Sequence, residues 1–424
     1  MSSQKNQVSV IIEKLFRTEY GKMVSYLTNK FGFNFLENAE DIVQETLSVA
    51  FQKWTYSGIP ENPEAWIFVV ARNKALNLVK KESRITHMNI TKLVEEYSEN
   101  HTQLHLAQEI EDGMLRIMVV CCNMDLPVHS KIVFILSCLC GFSRKELSQA
   151  LLVKEETVKK RLFRAKSSIR LQELNIASPK EELLSLHANV ICNVLYILYN
   201  AGYNSSGNKS LIRREVCFEA MRLTKLILNQ DPGNPRAHAL FALMCFHSAR
   251  FDSRIDKEGA IVLFKDQDRN LWSKELINAG MYHLSKASNG ARLSAYHMEA
   301  AIAAEHCTSS NFESTNWDLI LSQYQQLYRL KPTPIILLNL AIVQSMLGKT
   351  SHAITELVNL TKNKQLNSNY LLHATLGELY GKSGQHKRAI EALEKALALT
   401  NSKQEKALLQ KKRENLLRSV QKEI

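Results

Sequence analysis

The stretch that decides the fold is residues 126–170, which read LPVHSKIVFILSCLCGFSRKELSQALLVKEETVKKRLFRAKSSIR. Its apolar residues recur at helical spacing in three segments, which are separated by Gly141 and by Leu152-Val153. Ser143 and Glu146 stand three positions apart at the start of the second segment, the pattern of a capping box. Basic residues line one face of the third segment. A capped short helix, a tight turn and a basic helix predict a helix-turn-helix; the simpler alternative is a helical hairpin with a solvated basic face.

The composition indicates a basic, helical protein of two or three domains. The chain has 424 residues, 45% of them hydrophobic, with only 15 glycines and 8 prolines. A net charge of +12 favours a polyanionic partner, which charge alone does not identify. No signal-peptide pattern opens the chain, and the longest apolar run is too short to span a bilayer, so no membrane association is expected.

The eight cysteines form no C-x-x-C pair and lie mostly in apolar surroundings. Buried, reduced thiols are expected, which predicts a cytoplasmic protein. A zinc site built on Cys138 and Cys140 would lack well-spaced further ligands. Paired carboxylates and a nucleophile–base pair are also missing from the sequence pattern. We therefore expect no catalytic residues, no metal, no cofactor and no enzymatic activity.

The spacing of apolar residues over 8–84 predicts a first helical domain, and two of its helices are of functional interest. One, expected to be capped by Asn38, carries an acidic stripe opposite its apolar face, namely Asp41, Gln44 and Glu45. By itself this stripe is either a partner surface or a solvated face. The other helix follows Asn62-Pro63. It exposes basic and amide side chains, of which the candidates for phosphate and base contacts are Arg72, Asn73, Lys74, Asn77 and Lys80. Nearby aromatic residues can stack on unpaired bases, although core packing is at least as probable for Trp66.

At this point the sequence resembles a known family. ENAEDIVQETLSVAFQKW (37–54) followed by NPEAWIFVVARNKALNLVKK (62–81) is similar to region two of sigma-70-type transcription initiation factors. The helix-turn-helix resembles region four, and the order and spacing match the extracytoplasmic-function class. The resemblance implies an all-α fold with a region-two domain at 8–84, a linker at 85–108 and a region-four domain at 109–175. A helical extension at 179–300 and tetratricopeptide-like repeats at 301–424 would follow.

The resemblance also implies roles for particular residues. Asp41, Gln44 and Glu45 match the face that binds the β′ clamp helices of core RNA polymerase. The helix with Arg72, Asn73, Lys74, Asn77 and Lys80 would face the −10 promoter element, with the loop at 56–62 near a flipped base. Lys159, Lys160, Arg161 and Arg164 fall in the helix that reads the −35 element, where arginine can pair with guanine edges and lysine holds phosphates. Region four would also contact the β flap.

The linker at 85–108 is polar, with an acidic middle at Glu95, Glu96 and Glu99. A plain tether is the simplest interpretation. In the family the equivalent linker follows the RNA exit path, so these carboxylates could imitate RNA phosphates.

The stretch EDGMLRIMVVCCNMDL (111–126) resembles a subgroup with a long helical extension. That subgroup has Cys-Cys-His-Pro where this chain has Cys121-Cys122-Asn123-Met124, so both cysteines are predicted to be packing residues.

Two features of the C-terminal half are predicted to matter. Arg250 and Arg254, followed by DQDRNLW at 266–272, match a subgroup element and suggest a regulatory cluster of Arg250, Arg254, Asp266, Asp268 and Arg269. An ion-pair network is the structural interpretation, and a signal-sensing pocket or interface is the functional one. The tail repeats small and apolar residues with an offset of 36 from Ala353 to Ala389, typical of tetratricopeptide repeats that bind protein partners. A G-x-x-x-x-G-K-S-like run at 202–210 has one residue too many for a phosphate loop.

Together these patterns predict a bacterial sigma factor that recruits core polymerase to promoters, helps to open the −10 element and is regulated by its own C-terminal extension. The competing hypothesis is a DNA-binding regulator with a tetratricopeptide sensor that never acts as a sigma factor. The acidic stripe distinguishes the two, because only a sigma factor needs it to bind polymerase.

Overall fold

A computed structural model describes residues 2–86, 103–151, 153–171, 181–204, 212–290, 292–400 and 402–422. Within these ranges the fold is all-α, with short 3₁₀ turns and one isolated antiparallel bridge between Ile255 and Ile261. No helix in the described ranges is long and apolar enough to cross a membrane. The chain divides into two compact units. The first unit is Met1–Tyr203 with Arg214–Pro232, and the second is Asn204–Arg213 with Gly233–Ile424.

The first unit begins with three helices, α1 (Ser2–Phe31), α2 (Leu36–Ser57) and α3 (Pro63–Thr86). The 22-residue α2 buries one face through Ile42, Val43, Leu47, Ala50 and Trp54, as the apolar periodicity predicts. Asn38 does not cap this helix, which already begins at Leu36 behind a 3₁₀ turn at Phe33–Phe35. Helix α3 begins where the sequence predicts. The Asn62 side chain accepts a hydrogen bond from the Ala65 N–H at 2.9 Å, and Pro63 is the first helical residue.

The same unit continues with α4 (Gln103–Asn123), α5 (Val128–Cys138), α6 (Arg144–Leu151) and α7 (Glu155–Leu171). Helix α5 is buried on all sides, from Ile132 through Leu136, because it is surrounded by α4, α6, α7 and the following helix. The capping box forms before α6: the Ser143 N–H donates to Glu146 Oε2 at 2.9 Å, and the Glu146 N–H donates to Ser143 Oγ at 3.2 Å. Helices α6 and α7 form the predicted helix-turn-helix.

Two further helices complete the first unit, α8 (Glu181–Tyr203) and α9 (Arg214–Gln230). They pack against each other, and the Cys217 thiol donates to the Tyr199 carbonyl at 3.6 Å. Helix α8 also packs on α4, α5 and α6, while α9 packs on α1 and α4. The beginning of the C-terminal extension is thus part of the same compact unit as the two DNA-binding candidates.

The second unit is a series of helices that pack mainly on their neighbours in the chain. They are α10 (Pro235–Ser248), α11 (Lys274–Ala287), α12 (Ala295–Thr308), α13 (Trp317–Leu330), α14 (Pro334–Met346), α15 (Thr350–Leu360), α16 (Lys364–Asn367), α17 (Tyr370–Lys382), α18 (His386–Leu399) and α19 (Lys403–Lys422). Gly348 and Gly384 turn the chain between α14 and α15 and between α17 and α18, with φ of 81° and 73°. These positive values favour glycine at both turns.

Candidate functional site

The acidic stripe lies on the solvent side of α2. Asp41, Gln44 and Glu45 are all exposed, and the buried residues Ile42 and Val43 hold the opposite face of the helix in the core. The Glu45 side chain keeps 64% of its surface exposed although it forms an ion pair with Lys74 of α3. A partner can therefore reach three polar side chains that a buried helix face holds in place.

The candidate −10 residues occupy one side of α3. Asn73, Asn77 and Lys80 are exposed, and Arg72 and Lys74 are half-buried. The Arg72 Nε–H is buried and has no hydrogen-bond partner among the described residues. Lys74 is held by Glu45, so the acidic stripe and the basic face meet at one ion pair. Helix α3 thus presents donors to solvent along its length.

Two of the aromatic residues near α3 have a packing role. Trp54 is buried, and the half-buried Trp66 meets it edge-on at a ring-centroid distance of 5.4 Å, with the Lys53 ammonium 5.7 Å from the Trp66 ring. Trp66 is thereby tied into the core, whereas Tyr56 at the end of α2 is 83% exposed. Of these aromatic residues, Tyr56 is the one whose ring is open to stacking on a base.

The helix-turn-helix presents a basic surface on α7. Lys159, Lys160 and Arg164 are exposed and Arg161 is half-exposed, while Val158 and Ala165 fix the helix in the core. The turn is closed by the Ser148 hydroxyl, which donates to the Val153 carbonyl at 2.6 Å. One residue of this face was not among the predicted contacts: Phe163 is 74% exposed. In the sequence, Phe163 is an aromatic residue at a position where the helical pattern of α7 predicts a polar side chain, next to Arg164.

The cysteines lie in packed surroundings. All eight are described, no disulfide joins any two of them, and all but Cys140 are buried. Burial raises the pKa of Cys122 to about 12, which keeps it a thiol at neutral pH. The described residues contain no group of three or more His, Cys, Asp or Glu side chains placed to hold a metal ion. Asn123, which replaces the subgroup's histidine, bonds through Oδ1 to His187 Nε2 at 2.6 Å, and so joins α4 to α8.

The candidate regulatory cluster differs from the ion-pair network that the sequence suggests. Arg250, Arg254, Asp266, Asp268 and Arg269 are all described. The Arg250 Nε–H donates to Gln267 Oε1 at 3.2 Å, and the Arg254 guanidinium donates to Asn204 Oδ1 at 3.4 Å. Asp268 instead caps a 3₁₀ turn by accepting from the Asn270 N–H at 2.9 Å. The Arg269 guanidinium donates to the carbonyls of His306 at 2.9 Å and Ser309 at 2.6 Å.

Aromatic rings take the place of the expected carboxylates. The Arg250 guanidinium lies 4.3 Å from the Phe264 ring centroid, and that of Arg269 lies 4.5 Å from Trp272. Burial, with Arg250 and Arg269 nearby, lowers the pKa of His306 to about 4. Burial, with Arg250 and Arg254 nearby, lowers the pKa of His247 to about 3. Both imidazoles are therefore neutral at physiological pH, and the cluster is a stacked cation–aromatic core.

In the tail, the residues of the predicted repeat lie where paired helices touch. Ala341, Ala353 and Leu357 are buried in one hairpin, and Leu376, Ala389 and Leu393 in the next. The two helices of the second hairpin lie close together at Gly377, because a Cβ added there would lie 2.8 Å from Leu393 Cγ. A tetratricopeptide-like arrangement remains the prediction for this segment.

Some predictions fall outside the described residues. These are the acidic centre of the linker at Glu95, Glu96 and Glu99, and most of the glycine-containing run at 202–210. The end assigned to the linker, from Gln103 onward, is the first part of α4.

Two segments of the first unit match models of one known protein family. Residues 15–85 match Sigma-70 region 2, and residues 118–169 match Sigma-70 region 4. Residues 187–288 match a family of unknown function, DUF6596. An uncharacterised protein of Rhizobium meliloti (strain 1021) is 30% identical over 389 residues, which cover 91% of each chain. This chain therefore belongs to the sigma-70 family, as an extracytoplasmic-function-like member whose region 2 and region 4 domains are followed by a C-terminal helical extension.

Proposed function

We propose that this sigma-family chain binds bacterial core RNA polymerase, directs it to promoters, helps to open the −10 element and is regulated by its own C-terminal extension. The observation that carries the proposal is the pairing of an exposed acidic stripe on α2 with exposed basic faces on α3 and α7. A transcription initiation factor needs both kinds of surface, because it must hold an enzyme and DNA at once.

The acidic stripe is the proposed site for the β′ clamp helices. Its three side chains are presented by a helix whose other face is locked in the core, so binding requires little ordering. Rim charges of this kind set the encounter rate and the salt dependence of an interface. Region 4 (α4–α7) would make the second polymerase contact, at the β flap.

The DNA contacts are proposed on α3 and α7. Asn73, Asn77 and Lys80 are exposed and are the proposed contacts to the −10 strand, and the exposed Tyr56 is the proposed stacking partner of an extruded base. On α7, Arg161 and Arg164 are the candidates for bidentate pairing with guanine, while Lys159 and Lys160 neutralise phosphates. Positive charge on both helices agrees with the basic balance of the whole chain.

Regulation by the extension is supported by the packing of α8 and α9 within the first unit. Helix α9 contacts α1 of region 2 (α1–α3), and α8 contacts α5 and α6 of region 4. The extension thus reaches both sigma regions directly. Its tail hairpins, with small residues at the helix crossings, are the proposed site for a protein partner.

Charge reversal of the acidic stripe tests the proposal. The double variant Asp41→Lys/Glu45→Lys is expected to weaken binding to purified core polymerase at least tenfold and to abolish promoter-directed transcription. The matched control is Glu391→Lys/Glu414→Lys, which makes the same charge change at two exposed carboxylates of α18 and α19. Core affinity is measured by fluorescence anisotropy and transcription by run-off from the DNA upstream of the protein's own gene.

The competing function, a DNA-binding regulator that is not a sigma factor, gives a different result. Such a protein would bind DNA through α7 but would show no core binding in either variant. Wild-type protein that binds its upstream DNA and neither binds core enzyme nor yields a transcript would overturn the proposed function.

A further inference from the structure

Two arginines of the second unit share one pair of aromatic rings. The Arg250 guanidinium lies 4.3 Å from the Phe264 ring centroid and 5.6 Å from that of Trp272. The Arg269 guanidinium lies 6.0 Å and 4.5 Å from the same two centroids. We call these four residues the paired-arginine site. Because two like charges repel each other at such short range, other contacts must hold the two guanidiniums in place.

A polar frame holds Arg250. Its Nε–H donates to Gln267 Oε1 at 3.2 Å, and the same oxygen accepts from the Ser253 hydroxyl at 3.3 Å. Ser253 Oγ also accepts from the Trp272 Nε1–H at 2.8 Å, and both of these residues are buried. The frame uses only the Nε–H of the half-exposed Arg250, so the two Nη groups remain to bind another acceptor.

The end of a helix holds Arg269. Its Nη1 donates to the carbonyls of His306 at 2.9 Å and Ser309 at 2.6 Å, at the C-terminus of α12, where a cation is favourable. The Arg269 Nη2 is buried and has no hydrogen-bond partner among the described residues, and the same is true of His306 Nδ1. An unused buried donor is costly, so the Arg269 Nη2 would gain from an added acceptor.

The groups that hold the two arginines are neutral: an amide side chain, two backbone carbonyls and two aromatic rings. Two nearby carboxylates make other hydrogen bonds. Asp268 accepts from the Asn270 N–H at 2.9 Å, and Glu305 accepts from the Asn316 N–H at 3.1 Å. Arginine in a structural role commonly pairs with a carboxylate in a bidentate fashion. Here the positive charge of the site is left for a partner from outside the chain.

The surroundings of Arg269 add to the case for an anion. Burial lowers the pKa of Arg269, and the charge of Arg250 lowers it further, which together outweigh the opposite effect of the exposed Glu313 carboxylate. The folded chain therefore holds this cation at an electrostatic cost. A bound anion would offset that cost and would at the same time reduce the repulsion between the two arginines.

We propose that the paired-arginine site binds the phosphoryl group of a small phosphorylated ligand, with the Nη groups of Arg250 and the Nη2 of Arg269 as donors. A phosphoryl group carries close to two negative charges and three acceptor oxygens, so it can accept from two separate guanidiniums. A single carboxylate is already matched by the fork of one. Any effect of the ligand on transcription rests on the proposed regulatory function of the extension, whereas the binding itself does not.

Substitutions at Arg250 test the site. Arg250→Gln removes the charge and the fork, and Arg250→Lys keeps the charge without the planar fork. The matched control is Arg388→Gln of α18. Arg388 is also stacked on a ring, 5.9 Å from the Tyr380 centroid, and also donates to a glutamine, Gln385, at 2.9 Å, but it is exposed.

Binding is measured on the full chain by isothermal titration calorimetry at constant ionic strength. The probes are inorganic phosphate and glycerol phosphate, which distinguish free phosphate from a phosphate ester, and succinate is the carboxylate comparison. Amide hydrogen exchange of the wild type, with and without the better phosphate probe, locates the site. Because this second measurement needs no variant, it tests the proposal even if Arg250→Gln fails to fold.

We expect at least one phosphate probe to bind the wild type and Arg388→Gln with affinities equal within twofold. Binding should be roughly tenfold weaker in Arg250→Gln and intermediate in Arg250→Lys, because a charge-assisted hydrogen bond is lost in steps. Succinate should bind more weakly than the phosphate probe. Exchange should slow in peptides covering 264–272 and the C-terminal turn of α12.

The proposal would be overturned by a wild type that binds neither phosphate probe, or by equal affinities for succinate and phosphate. Equal losses in Arg250→Gln and Arg388→Gln, or protection confined to α3 and α7, would also overturn it, because the probe would then be responding to basic surface in general. Each of these results leaves the sigma function standing, since no polymerase takes part in the assay. Absence of core binding would conversely leave the phosphoryl site untouched.

Discussion

At the scale of single residues, Glu146 serves two purposes. It closes the capping box before α6 and pairs with Arg17 of α1. Burial alone would raise its pKa, but the hydrogen bond from the Ser143 N–H and the charge of Arg17 outweigh burial and lower it. The capping role is visible in the sequence because it depends on residues three positions apart. The pairing with Arg17 is not, because nothing local relates positions 17 and 146.

Phe163 offers a prediction about DNA recognition. Its ring is exposed on the same helix as the basic residues of α7, where an aromatic side chain can contact a thymine methyl group. Phe163→Ala is expected to weaken binding to a specific −35 duplex roughly tenfold, on the order of 1–2 kcal/mol. Binding to a scrambled duplex should change less than twofold. Anisotropy titrations of both duplexes at one fixed salt concentration measure the difference, and equal losses on both would contradict a base contact.

His306 offers a prediction about pH. Its folded-state pKa of about 4 lies below the ordinary 6.5, so below pH 6.5 the unfolded chain binds a proton that the folded ring does not. The neutral His306 ring therefore makes its full contribution to the free energy of unfolding above pH 6.5, and this contribution is lost as the pH falls toward 4. We expect His306→Phe to reduce the loss between pH 7.5 and 5 by on the order of 1–2 kcal/mol. Amide hydrogen exchange of α12 peptides at both pH values, corrected for intrinsic rates, measures this loss of stability in the wild type and the variant. A variant with the same pH dependence as the wild type would contradict the role given to His306.

At the scale of elements, α2 carries three different faces. One face is buried, a second presents the acidic stripe, and Glu37 and Glu40 near the N-terminus meet Lys166. A 22-residue helix has enough turns to serve all three without conflict. The helical period predicts the first two faces. The third cannot be recognised from periodicity, because Glu40 looks like any other polar residue of the helix.

The hairpin of α17 and α18 tests whether small residues set helix packing in the tail. Gly377→Ala would place a Cβ 2.8 Å from Leu393 Cγ and is expected to destabilise the hairpin by ~1–3 kcal/mol. Gly381→Ala, one turn further along the same helix, has more room and should be neutral or stabilising by up to ~1 kcal/mol. Hydrogen exchange of peptides from both helices compares the two variants. Equal effects would show that position 377 is not a packing contact.

At the scale of the whole molecule, the extension does not begin as a separate body. Helices α8 and α9 follow the helix-turn-helix in the chain but belong to the first unit. Ile191, Cys192, Val194 and Leu195 of α8 are fully buried. A chain cut before α8 would therefore expose the apolar surface of α4 and α5 that these helices cover.

Two truncations test this boundary. A chain ending at Asn175 is expected to aggregate or to bind a hydrophobic dye strongly, whereas one ending at Pro232 should stay monomeric with a cooperative melt. Light scattering and thermal unfolding of both proteins at equal concentration compare them. A monomeric, cooperatively folded 1–175 fragment would show that α8 and α9 are dispensable to the first unit.

The sequence by itself determined the all-α class, the helix-turn-helix with its capping box, the start of α3 at Asn62-Pro63 and the membership of the sigma-70 family. These features depend on residues within about one helical turn of each other, or on motifs that are contiguous in the chain. Only the tertiary structure decided that Trp66 packs on Trp54, that Arg250 and Arg269 stack on aromatic rings, and that Lys166 reaches Glu40. Such contacts join distant positions, and their partners are chosen by the shape and burial of the folded chain, which helical periodicity does not encode.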